Sequence, residues 1–144
     1  MHSKLVYENE GLRTFVVILD GGDEVMACLR QVAEEQNLSG AQITAIGAFS
    51  DAVITYFDWE RKEYLPNRVD EQVEVASLVG DIALSDGEPT VHVHLVLGRR
   101  DGSALAGHLG EAHVRPTLEI IITETPAHLR KQKDPETGLA LIRL

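Results

Sequence analysis

The strictest alternation in this chain is Val91-His92-Val93-His94-Leu95-Val96-Leu97. It places Val91, Val93, Leu95 and Leu97 on one face of a strand and His92 and His94 together on the other. Strands are also predicted over residues 12–19, 41–49, 52–58, 73–84, 90–98 and 117–124, each rich in β-branched side chains and bounded by Gly, Asp or Pro. One segment, from Gly22 to about Gln36, carries helical spacing instead. There Val25, Met26, Leu29, Val32 and Ala33 recur at the period of a helix, and Asp23 and Glu24 suit its positive N-terminal end. Asn37 and Gly40 mark its exit. One helix among so many strands, joined by short links, predicts an α+β fold: a mostly antiparallel sheet with one main helix packed on it. No repeat or linker divides the chain, so residues 1–144 are expected to form a single domain.

Charge narrows the function classes. The 144 residues include 23 acidic side chains against 13 basic ones, a formal charge of −10, which opposes direct DNA binding because groove binding begins with a cationic surface. The balance is uneven: residues 128–144 are net +2 and the body −12. That tail is only mildly basic and reads as solvated surface, with a turn at residues 134–138 and a further strand over residues 139–144. Cys28, the single cysteine, excludes an internal disulfide and belongs at the edge of the helix core. The N-terminus lacks the apolar stretch of a secretory signal, and no apolar run approaches the roughly 20 residues of a membrane span. The expected location is cytoplasmic, with no membrane association.

The histidines carry the candidate chemistry. His92 and His94 can converge on one point, and Ala106-Gly107-His108-Leu109-Gly110 supplies a third imidazole whose flanking glycines let the backbone pass close to a neighbouring strand. Three imidazoles with a fourth position left to water form the open arrangement that zinc adopts when available for chemistry. Ligand type favours zinc over nickel, copper or iron. The plainer reading makes His92 and His94 half-buried sheet residues bonded to backbone or to a partner. His113 is a fourth candidate that reads as a surface histidine, and His2 and His128 have no partner pattern. Glu111, Glu74 and Glu119 are candidate supporting carboxylates, and the sequence does not choose among them. Gly21-Gly22-Asp23 reads as a turn, since no phosphate-binding glycine pattern follows it, and Ser50 and Ser103 lack the context of a nucleophile.

The ordered series Ile46-Gly47-Ala48-Phe49-Ser50, Tyr56-Phe57-Asp58, residues 73–82, His92-Val93-His94 and Gly107-His108-Leu109 resembles the Plants and Prokaryotes Conserved (PPC) domain family over residues 14–142. The resemblance implies a compact α+β domain assembled as a homotrimer. In plants that domain is joined to AT-hook DNA-binding segments, so its prokaryotic members are often labelled DNA-binding proteins. This chain has no Arg-Gly-Arg-Pro core. The fold also resembles that of α-acetolactate decarboxylase, a zinc enzyme with a His-x-His strand pair and a later histidine, and this implies His92, His94 and His108 as metal ligands. Two positions depart from the family pattern: Ile18 stands roughly where many members carry arginine, and Ala106 where they carry glycine. The expected function is a stand-alone binding or regulatory module with a zinc-type site and an unidentified protein or small-molecule partner. The alternative is a zinc-dependent lyase or hydrolase acting on a small anionic carbonyl compound.

Overall fold

Residues 1–143 are described by the structure, a computed structural model, as nine strands and one α-helix. In chain order these are β1 (His2–Asn9), β2 (Leu12–Asp20), α1 (Val25–Glu35), β3 (Gly40–Asp58), β4 (Glu63–Val69), β5 (Val73–Ser85), β6 (Glu88–Gly98), β7 (Ala104–Glu124), β8 (Arg130–Lys133) and β9 (Ala140–Arg143). All strand pairings are antiparallel except the short parallel contact of β8 with β5. The architecture is therefore mostly strand in a largely antiparallel sheet with one helix, as the pattern predicted. No helix among the described residues is long and apolar enough to cross a membrane.

The helix begins where its N-terminal acids allow. Glu24 caps it, its carboxylate accepting from the backbone N–H of Met26 at 2.9 Å and of Ala27 at 2.6 Å. Asn37, at φ 51°, ends it in the left-handed region, and the N–H of Leu38 returns to the carbonyl of Ala33. Val25, Met26, Leu29, Val32 and Ala33 are buried against the sheet, where α1 lies on β6 and β7. Each of the four larger side chains contributes on the order of 1.5–3 kcal/mol, and the methyl of Ala33 less. Gly21-Gly22-Asp23 forms the expected turn, with Gly22 at φ 94° and its N–H donating to Val114 O of β7.

Several boundaries differ from the sequence pattern. The two segments 41–49 and 52–58 are one strand, β3, because the polar Ser50-Asp51 interruption is absorbed by register shifts on either side of Phe49 instead of a loop. The strand expected over 117–124 begins at Ala104 and runs through the histidine segment. β1 and β4 carry no burial rhythm that the sequence could display, since β1 is exposed throughout and both lie at edges of the sheet. The last strand, expected over 139–144, spans Ala140–Arg143, with Leu144 outside the described residues.

Pairings β3–β5, β5–β6, β6–β7 and β7–β3 close on themselves into a ring. Its interior is filled by residues such as Ile43, Phe49, Leu78, Ile82, Val93, Leu97, Leu109 and Ile120, all essentially inaccessible. Beside it, buried Glu124 accepts from Arg13 Nε at 2.7 Å and from the N–H of Ser39 at 2.9 Å, while Arg13 Nη2 donates to Gln36 O. This network joins β2, β7 and the end of α1.

Candidate metal centre

The alternation in β6 does what its pattern implies. Val93, Leu95 and Leu97 point into the core, while His92 and His94 stand on the outer face. Across the β6–β7 ladder His94 pairs directly with His108, so the third imidazole arrives on the same face. The glycines around His108 make that approach possible. A Cβ on Gly107 would stand 2.9 Å from Thr55 O, and one on Gly110 would stand 3.0 Å from Val53 O, so β3 could not lie this close to any larger residue. Ala106 does not occupy the left-handed region, and alanine serves there as well as glycine.

The ring centroids of His92 and His94 lie 5.0 Å apart, those of His92 and His108 5.0 Å, and those of His94 and His108 5.3 Å. One ligand nitrogen from each lies within 4.8 Å of the others. Nδ1 of His108 is buried and has no hydrogen-bond partner, an arrangement that costs free energy unless something beyond the protein's own atoms satisfies it. The face of Tyr64, from β4, stacks on the His108 ring at 4.8 Å. Burial pushes the His108 pKa down to about 4, helped by the charges of His92, His94 and Lys131, and burial followed by the charge of His92 lowers that of His94. Both rings are thus neutral at pH 7, the form in which imidazole binds metals. The donor set and the unpaired buried nitrogen fit a zinc-type ion.

The carboxylate at this site is Asp81, which faces His92 across the β5–β6 ladder. Its Oδ2 lies 3.4 Å from His92 Nδ1, and its Oδ1 lies 2.7 Å from Lys131 Nζ. Neither contact has full hydrogen-bond geometry: the lysine holds as an ion pair, and the carboxylate faces the imidazole nitrogen at 3.4 Å. Burial raises the Asp81 carboxyl, but the contacts with His92 and Lys131 outweigh that and keep it below its usual range. Sequence reasoning passed over Asp81, because β5 carries other polar residues, Glu74 and Ser77, and only the ladder register puts Asp81 opposite His92. The expected carboxylates lie elsewhere: Glu111 is 4.0 Å from His113, and Glu74 and Glu119 line a separate hollow with Ile46 and Gly47.

The other histidines do not join the three. His113 Nδ1 lies 2.8 Å from Asp51 Oδ1, His128 Nδ1 lies 2.6 Å from Ser39 Oγ, and His2 lies 3.2 Å from Asp20. Ser50 is occupied with Asp51, to which its hydroxyl donates at 2.7 Å. Cys28 is half-buried against the core, where burial raises its thiol pKa and suppresses the thiolate.

Comparison with known proteins accords with this geometry. The family model of the Plants and Prokaryotes Conserved (PCC, or PPC) domain matches residues 6–126. A metal-containing protein of Archaeoglobus fulgidus is 34% identical, with a TM-score of 0.85 over 96% of this chain and 99% of that one. A candidate DNA-binding protein of Bacteroides thetaiotaomicron is 25% identical, with a TM-score of 0.88 over 95% and 94% of the two chains. A Staphylococcus aureus protein of unknown function, described as similar to α-acetolactate decarboxylase, shares the fold alone: it is 13% identical, with a TM-score of 0.55 over 76% of this chain and 51% of that one. Among curated proteins, none matches the sequence.

Proposed function

The chain belongs to the Plants and Prokaryotes Conserved domain family, and on that premise we propose that it is a binding or regulatory module built around a zinc-type ion held by His92, His94 and His108. One observation carries the reading. Three histidines from two strands bring ligand nitrogens within 4.8 Å of one another, and one of these rings has a buried nitrogen with no partner. Such an ion, when bound, supplies a Lewis-acidic position open to an oxygen or nitrogen of a ligand. The chain's own residues do the rest: Asp81 orients His92, and Tyr64 covers the face of His108. Because Asp81 is committed to His92 and Lys131, it is poorly placed to shuttle protons, which favours a module over an enzyme.

The module assembles as a homotrimer. Val79 and Ile121 flank Thr44 across β5, β3 and β7, and with Ile46 these two form an exposed, largely apolar strip on the outer face. Packing copies together over this strip would remove it from water. A charge of −10 per chain weighs against extending to this chain the DNA-binding description attached to the Bacteroides relative, because such a charge repels phosphate.

The test is metal content per chain by elemental analysis, on untagged protein purified without added metal, for wild type and His92→Ala side by side. Stoichiometric metal lost in the variant supports the site, and no metal in either overturns it. Light scattering should give three times the 15.8 kDa chain mass. A gel shift at low salt should show no DNA retardation; retardation that disappears with added salt would restore the DNA reading.

A further inference from the structure

Lys131 is the least expected residue in the molecule. It comes from the C-terminal segment whose charges read as solvated surface, yet its side chain is only 3% exposed. A buried ammonium is costly unless paired, and the carboxylate that pairs with it is Asp81, 2.7 Å away. Asp81 uses its other oxygen on His92 Nδ1. Lys131, Asp81 and His92 therefore form a line from β8 through β5 to β6. β8 is held to β5 beside this line by the parallel pairs Leu84–Arg130 and Ser85–Lys131 and by the N–H of Leu84 donating to Leu129 O. It also lies beyond residues 6–126, the span of the family match.

A carboxylate can accept from the imidazole nitrogen it faces, so Asp81 favours the tautomer with a proton on Nδ1 and leaves Nε2 of His92 free for an ion. What keeps Asp81 there is Lys131. We propose that Lys131 is a positioning residue for the three-histidine site, holding Asp81 against His92 so that the C-terminal hairpin β8–β9 governs how tightly the site takes an ion. The inference rests on the reading of these histidines as metal ligands. It makes metal affinity depend on a segment that contributes no ligand.

The experiment uses the full chain and zinc alone as the probe. Zinc affinity is measured by competition with a chromophoric chelator for wild type, Lys131→Met, Asp81→Asn and the double variant. The His92 tautomer in metal-free protein is read from imidazole nitrogen NMR, and stability from urea unfolding. Lys131→Met should weaken zinc binding about 10- to 100-fold, Asp81→Asn should do the same, and the double variant should be no worse than either single one. His92 should lose its single Nδ1–H tautomer in all three. If Lys131→Met lowers the urea midpoint but leaves affinity and tautomer unchanged, Lys131 is a structural ion pair and the proposal is overturned. If the losses add in the double variant, Lys131 does not act through Asp81, which also overturns it. Should Lys131→Met not fold, Lys131→Gln carries the same expectations. A wild type that takes no zinc sinks the metal site itself, a different failure from a wild type that binds while Lys131→Met binds equally well.

Discussion

His94 and His108 stand directly opposite each other on β6 and β7, their ring centroids 5.3 Å apart. Neither residue could be moved along its strand without losing the other, because a slip of one position turns a side chain to the opposite face. The site therefore inherits its geometry from the register of the ladder.

Metal should be linked to stability through that pair. With free zinc about a hundredfold above its dissociation constant, the wild type should gain about 2.7 kcal/mol over the metal-free protein, and a chelator should reverse it. His108→Ala should show no zinc-dependent change in thermal midpoint. Equal shifts in variant and wild type would place the ion elsewhere.

Gly107→Ala should destabilise the fold by about 1–3 kcal/mol, because the new methyl group meets Thr55 O at 2.9 Å and must push β3 and β7 apart. The check is the midpoint of urea unfolding for metal-free protein. A midpoint equal to the wild type's would mean that the two strands can separate there at no cost.

Glu124→Ala should be among the most damaging single changes outside the core, costing about 3 kcal/mol by leaving Arg13 and the N–H of Ser39 without their partner. Glu63→Ala is the contrast: its pair with Arg61 is 3.9 Å long and exposed, so its loss should cost less than about 0.5 kcal/mol. Denaturant titration of both variants gives the comparison, and similar costs would contradict this account of Glu124.

The Asp51–His113 pair should respond to pH in a defined direction. The contact with Asp51, with the charges of Glu111 and Glu24 adding, raises the His113 pKa above 6.5, and hydrogen bonds from His113 and Ser50 hold Asp51 below 3.8. The His113 contribution is complete below 6.5 and is lost as pH rises through its raised folded value. The Asp51 contribution is present above 3.8 and is lost as pH falls through its lowered folded value. Their joint effect is greatest between, and solvent screening keeps it under about 1 kcal/mol. NMR titration should show His113 above 6.5 in the wild type and returned toward it in Asp51→Asn.

Much of this was legible in the sequence where one face of an element is buried and the other is not. β6 could be read residue by residue, and Val25, Met26, Leu29, Val32 and Ala33 marked the helix. The first half of β7 was harder, since Ala104 to Gly110 is rich in small residues of weak strand preference that are there for close backbone approach. β4 concealed itself behind Pro66, which an edge strand tolerates. Asp81 and Lys131 were illegible for a different reason. A charged residue in sequence carries no mark of burial, and their pairing joins positions 50 residues apart through a parallel contact of two residue pairs.

The ring of strands has one weak seam. Of its four ladders, β6–β7 is the shortest, running only from His94–His108 to Gly98–Ala104. An ion shared by His94 and His108 would act as a clasp on that seam, fastening the two strands at the inner end of the ladder. Emptied of it, the barrel should part first along residues 104–108, and amide hydrogens there should exchange with solvent ahead of those in the longer ladders.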